Sequence, residues 1–306
     1  MKDSVKDVSY AKHAQSYASV CRDGVPQKEP EYLNPDGDSY WKIKLHTSPL
    51  LPILAGSPGA SWITIGDGRY GSEAFFITKH DGKALATDIA EDLLRIAKEK
   101  GYIADYAIEN AEALTFADDS FDYACCRESA HHFPRPYTAI YEMLRVAKEA
   151  VVLIEPADPF VCWRESEVPL TLLRALLNVL LGGHTKRNDF ERAGNYLYRF
   201  SVREMEKIAM GIGLPAIAVK GVNTFFFWGS APATSDAARH RQHTNRVRRF
   251  TRLAIAIQDV MTRLRLLQPV MYAFVLFKKM PTQEIRHLME ADGYIFLDLP
   301  KHPYAN

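Results

Sequence analysis

The 306-residue chain has little cysteine, and what it has is scattered: Cys21, Cys125, Cys126 and Cys162 include no Cys-x-x-Cys pair and no regular spacing. That argues against a zinc cage or a disulfide framework and fits a reducing cytoplasm. No apolar run reaches the roughly 18 residues of a membrane span. The opening MKDSVKDVSYAKHAQSYASV is too polar for a signal peptide. Charge of one sign is lacking as well. Lys and Arg number 38 against 37 Asp and Glu, so no global field selects nucleic acid or an acidic substrate. Repeats and low-complexity tracts are absent. What is present is apolar material, 47% of the chain, enough for a sizeable core.

The patterning predicts a doubly wound α/β fold with a mainly parallel sheet. Residues 1–60 read as an N-terminal helical cap, broken at Asn34–Asp38 and at Gly56–Gly59. Short apolar strands then alternate with helices: Trp62–Ile65, a helix from 71, Ala84–Thr87, a helix over Glu91–Lys100, and strands near Ala104–Ile108 and Phe121–Cys126. A helix over Tyr137–Ala147 and the strand Val151–Ile154 follow. Several strands have no polar face, which is expected of a sheet covered on both sides. Residues 61–158 form the expected core. The remainder, 159–306, supplies late strands with helical insertions at about 160–213 and 230–268 that serve as a substrate lid.

The stretch WITIGDGRYGSEAFF, residues 62–76, reads strand, glycine loop, helix. Such a loop holds either a dinucleotide pyrophosphate or the amino-acid end of S-adenosylmethionine. Asp67 inside the loop would repel a pyrophosphate unless it pointed away, and it tolerates a sulfonium and an ammonium. Asp88 lies about twenty residues on, at the end of the second strand, where a carboxylate accepts hydrogen bonds from a ribose diol. Both ligands carry that diol, and an N-cap role for Asp88 remains open.

The run IENAEALTFADDSFDYACCRESAHHFPRPYTAIYEMLRVAK, residues 108–148, resembles the middle of class I S-adenosylmethionine-dependent methyltransferases, in particular the ubiquinone and menaquinone methyltransferase branch. The resemblance implies that Gly66, Asp67, Gly68, Gly71, Asp88, Ile89, Asn110, Ala111, Glu112 and Arg127 contact the cofactor, with Asn110 and Ala111 at adenine. Three departures stand out. Thr64 occupies the usual carboxylate position, Tyr70 that of the third glycine, and Lys148-Glu149-Ala150 that of a Pro-Gly-Gly turn.

A hydroxyl acceptor must lose a proton, and His131, His132, Glu155 and Asp158 are the candidate groups at the carboxyl edge. We expect His131 and Glu155 to be catalytic and Arg127, His132 and Asp158 to contact the acceptor, with packing as the competing role for at least one histidine. No metal site is expected. Cys125 and Cys126 read as core, and Tyr196, Tyr198 and Trp228 as lid core. The Glu142–Arg145 pair is expected to tie its helix to neighbouring segments.

The expected activity is O-methylation of a small molecule, a sugar, glycan or secondary metabolite with an anionic group. Carbon or nitrogen methylation of a lipid-like or RNA substrate, or an inactive adenosine-binding scaffold, are the alternatives. DNA is not an expected partner, since no Asn-Pro-Pro-Tyr or Asp-Pro-Pro-Tyr motif is present. Residues 239–265 hold eight arginines against the single acid Asp259. Phe250, Leu253, Ile257, Val260 and Leu264 recur at helical spacing, a stripe expected to pack on the domain. The arginines read as a solvated face, as a lid helix for an anionic acceptor, or as contact with an anionic membrane or RNA.

Overall fold

Short β-branched and aliphatic segments form the strands, and amphipathic segments between them form helices that bury one face. The computed structural model describes residues 5–18, 21–22, 25–26, 44–180, 189–191, 194–224 and 237–304. Helix α1 (Val5–Ala18) leads to a small antiparallel pair, β1 (Cys21–Arg22) and β2 (Val25–Pro26). Helix α2 (Leu51–Gly56) precedes the main sheet. Five strands of that sheet are mutually parallel, β5 (Tyr106–Ile108), β4 (Lys83–Asp88), β3 (Ser61–Ile65), β6 (Phe121–Arg127) and β7 (Ala147–Pro156), in that spatial order. Beyond β7 the sheet turns antiparallel through β9 (Met271–Phe277), β8 (Ala216–Val222) and β10 (Ile295–Asp298).

Helices cover both faces. On one face α5 (Pro136–Val146) and α7 (Val202–Gly211) pack on Ala124 and Cys126. On the other, α2, α3 (Ser72–Thr78) and α9 (Gln283–Ala291) pack on Tyr123 and Cys125. Consecutive residues of β6 thus face opposite layers, as strand periodicity requires. Both cysteines are fully buried, and burial pushes their thiols well up, so they stay protonated. Helix α4 (Asp92–Glu99) buries Leu93, Leu94 and Ile96 beside β4. The Arg145 guanidinium donates to the Leu114 and Phe116 carbonyls and pairs with Glu142, so that pair does tie α5 to the preceding loop.

Two insertion helices depart from expectation. Helix α6 (Val168–Leu180) shows most of its apolar side chains to solvent. On α8 (Ala237–Arg263) the stripe expected to pack inward faces outward: Leu253, Ile257, Val260 and Leu264 are 54–60% exposed, while Thr251 is buried. The cause is a polar anchor, since Asn223 Nδ2 donates to Asp259 Oδ1 at 2.9 Å and to Thr262 Oγ1 at 3.1 Å. Trp228, the side chain of Arg246 and the break at 34–38 lie outside the described residues.

Candidate active site

The loop after β3 takes its shape from close approaches. Gly66 has φ +72, and a Cβ there would lie 2.6 Å from the Ser129 Cβ, so only glycine fits. Ser129 Oγ donates to the Gly66 carbonyl at 2.7 Å, which locks the loop onto the segment after β6. Tyr70, where the family pattern has glycine, accepts φ 64 and buries its ring against Ala74, Leu93 and Ile103. Gly71 follows at φ 61, at the N-cap of α3.

Asp67 does not face a ligand. Its carboxylate accepts Thr64 Oγ1 at 2.8 Å, Ala74 N at 2.9 Å and Glu73 N at 3.2 Å, which caps α3 from inside. Burial and the neighbouring Glu73 push its pKa well up. Asp67, Gly68 and Gly71, expected to contact the cofactor, shape the loop and are not among the residues that line the cavity beside it.

That cavity lies at the carboxyl ends of β3, β4 and β5. Gly66, Asp88, Ile89, Asn110, Ala111 and Glu112, all expected at the cofactor, line it. Asp88 Oδ2 accepts Gly68 N at 2.9 Å and Oδ1 accepts Ala90 N at 2.8 Å, so the carboxylate is fixed in the wall. Asn110 Oδ1 accepts Glu112 N at 3.0 Å, and its side chain also reaches the Tyr10 hydroxyl. Glu112 is held by Arg135, through the backbone amide at 2.8 Å and Nε at 2.5 Å.

The lining contains the acids Asp88, Glu109 and Glu112 and neither lysine nor arginine. Such a cavity disfavours a pyrophosphate and suits a cationic adenosine derivative. Three further wall residues come from far along the chain: Ser9 and Tyr10 of α1, and Asn195, whose Oδ1 accepts Ser9 Oγ at 2.5 Å. Sequence spacing held no signal for them. Phe133, in the His-His-Phe segment, also lines the cavity and had a signal that pointed to its neighbours instead.

Arg127, expected at both cofactor and acceptor, is turned into the protein. Its Nε pairs with buried Glu73, and Nη1 donates to Glu128 at 2.8 Å, with His46 Nδ1 on the same Glu128 oxygen at 2.8 Å. Burial opposes these charges, but the Arg127 guanidinium outweighs it at Glu73 and lowers that pKa. At Glu128 burial is likewise outweighed, by His46 and Arg127, and the pKa falls to about 2. Glu128 holds this place with φ 49, in the left-handed region.

His131 and Glu155 do come together. His131 Nδ1 lies 2.7 Å from Glu155 Oε2, and Glu155 Oε1 accepts Ser129 N at 3.0 Å and Ala130 N at 2.9 Å. Burial lowers the His131 pKa, but the Glu155 charge and hydrogen bond outweigh it and raise the pKa overall. The His132 ring stacks on that of His131 at 3.9 Å between centroids, and His132 is a cavity wall residue. Asp158 instead closes a local turn, with Oδ1 accepting Phe160 N at 2.9 Å, and does not line the cavity. Tyr196 and Tyr198 pack edge to face, and Tyr198 Oη donates to the Pro134 carbonyl at 3.2 Å.

Residues 63–154, from β3 to the middle of β7, match the family described as methyltransferase domain. That segment of the chain is similar to a methyltransferase domain. The chain is 31% identical over 109 residues to the uncharacterized methyltransferase YcgJ of Bacillus subtilis, which covers 32% of this chain and 42% of that protein. The chain therefore matches less than half the length of this curated relative. Among solved structures, YcgJ superposes with TM-score 0.45 at 18% identity, covering 79% of this chain and 100% of that one. The 1,6-didemethyltoxoflavin-N1-methyltransferase of Burkholderia thailandensis gives TM-score 0.48 at 11% identity, covering 72% and 85%. These are likenesses of fold. The matched segment contains the loop after β3, Asp88 and Asn110.

Proposed function

We propose that the chain is an S-adenosylmethionine-dependent methyltransferase that methylates a hydroxyl of a small molecule, a sugar or another secondary metabolite. The observation that carries the cofactor reading is the cavity wall, acidic and with neither lysine nor arginine, beside a glycine loop. Asp88 would hold the ribose diol, Asn110 and Ala111 the adenine, and the Gly66 loop the amino-acid end. When bound, S-adenosylmethionine supplies a methyl group already activated by a sulfonium.

The protein's own task is then to align the acceptor and take its proton. With Nδ1–H donating to Glu155, His131 carries its lone pair on Nε2, the tautomer suited to accept a hydroxyl proton. Glu155 positions the ring and stabilises the imidazolium that forms. The expectation of an anionic group on the acceptor rested on Arg127 together with the arginine-rich insertion. With that guanidinium bound to Glu73 and Glu128, the reading keeps the hydroxyl and leaves the anion out.

Transfer of labelled methyl from S-adenosylmethionine into fractionated small-molecule extract tests the proposal. Label is expected in a hydroxyl-bearing fraction, with loss of about 10²- to 10⁴-fold in rate for His131→Ala and unchanged cofactor affinity. Intact cofactor binding with no labelled fraction would make the chain an adenosine-binding scaffold instead.

A further inference from the structure

Two helices present apolar side chains to solvent, and both leave the sheet at the end that carries Glu155. On α6, Leu172, Leu173, Leu176, Leu177, Val179 and Leu180 are 48–71% exposed. The helix sequence, VPLTLLRALLNVL, has Arg174 as its one charge. Thr171, Arg174 and Asn178 share one side of the helix by spacing, and the broad apolar remainder, which belongs in a core or in lipid, is on the surface. On α8, Leu253, Ile257, Val260 and Leu264 form a second outward stripe because the polar side of the helix is the one fastened to the domain.

The two helices meet at one corner. Helix α6 follows β7 and α8 precedes β9, and Ala157 N donates to the Val270 carbonyl at 3.0 Å between them. Gln268 at the end of α8 also reaches the Val161 carbonyl ahead of α6. There Arg164 stacks on Trp163, 4.2 Å from the ring centroid. Burial and the nearby Arg265 charge together lower the Arg164 pKa, the mark of two guanidinium groups held close enough to repel. An anion between them relieves that repulsion.

We propose that this corner docks on an anionic phospholipid bilayer, with α6 and the α8 stripe entering the headgroup boundary and the flanking arginines on lipid phosphates. Charge selects this occupant. Segment 239–265 has eight arginines and one acid, and that acid, Asp259, is already bound to Asn223. A second copy of the chain would bring two such arginine-rich segments together. Length fixes the depth: the 13 residues of α6 reach about 20 Å, short of a hydrocarbon core of about 30 Å. No helix among the described residues is long and apolar enough to cross a membrane. Docking would set the sheet end with His131 and Glu155 near the headgroups. The inference goes beyond methyl transfer and does not depend on it, because binding is measured without turnover.

The test is co-sedimentation of the full chain with phosphatidylcholine vesicles, with and without phosphatidylglycerol, at low and high salt. Binding is expected with the anionic vesicles and should weaken as salt rises. The pair Arg263→Gln and Arg265→Gln should weaken it by about fivefold per arginine. Leu176→Ser with Ile257→Ser should abolish it with an unchanged circular dichroism spectrum, since both side chains are exposed. Should that variant unfold, the arginine pair decides alone. No binding to anionic vesicles at low salt, or undiminished binding by the arginine pair, would overturn the proposal. So would light scattering that shows a dimer split by the leucine and isoleucine changes with vesicle binding intact, because a second copy would then cover the face.

Discussion

His131 Nδ1 lies 2.7 Å from Glu155 Oε2, and Glu155 is fully buried with its other oxygen on two backbone amides. A carboxylate so constrained fixes both the orientation and the tautomer of the imidazole. Glu155→Gln keeps the shape but turns an amide N–H toward Nδ1, which moves the ring proton to Nε2 and blocks it as a base. The expected loss of methyl transfer is about 10²- to 10⁴-fold with cofactor affinity retained. The pH profile gives the sign. Wild-type activity should rise with pH through a midpoint above 6.5, because Glu155 raises the His131 pKa, and the variant's residual activity should shift its midpoint down. The same pairing adds stability that is fully present below pH 6.5 and fades as pH climbs through the raised value. A variant with the wild-type profile and rate would leave His131 a packing residue.

Arg127 is expected to matter for stability rather than for the acceptor. Its side chain is 8% exposed and that of its partner Glu73 5%. Arg127→Gln leaves a buried carboxylate uncompensated, which costs about 3–5 kcal/mol when a buried pair is broken. Urea denaturation should show that loss. The Glu128 pKa of about 2, against an ordinary 4.5, means its contribution is present above pH 4.5 and is lost as pH falls toward 2. In the variant this contribution should be smaller and should be exhausted at higher pH, because the Arg127 charge no longer helps hold the Glu128 pKa down. Full stability in Arg127→Gln, with a raised acceptor KM, would restore Arg127 to the acceptor site.

The Asp88 carboxylate and the Gly68 amide form one unit, since a Cβ on Gly68 would lie 2.6 Å from Asp88 Oδ2. Asp88→Ala removes charge-assisted bonds worth about 1.5–3 kcal/mol each. S-adenosylhomocysteine binding should therefore weaken by about tenfold to a hundredfold per bond lost. Gly68→Ala should weaken it by displacing the carboxylate while leaving its charge. Calorimetry that found both variants unchanged would remove Asp88 from the ribose.

That Gly66, Asp88 and Asn110 share one cavity was legible in the sequence because they follow strand ends: Gly66 after β3, Asp88 at the end of β4, Asn110 after β5. Residues brought in by tertiary packing were not. Ser9 and Asn195 meet across the cavity although 186 positions separate them. Arg127 looked available because its partner Glu73 sits on a helix 54 residues earlier. Asp67 looked like a ligand-facing acid because spacing does not report that α3 needs its first amides capped. Helical periodicity found the stripe of α8 but carries no information on what covers it, and Asn223 turned the polar side inward instead.

The central claim is that the acidic cavity beside Gly66 holds the adenosine of a methyl donor. Isothermal titration of the full chain with S-adenosylhomocysteine and, separately, with NAD tests it most directly. Saturable binding of S-adenosylhomocysteine with a Kd on the micromolar order is expected, and no heat with NAD, whose pyrophosphate would enter a cavity that holds Asp88, Glu109 and Glu112 but neither lysine nor arginine. Tight binding of NAD with none of S-adenosylhomocysteine would contradict it.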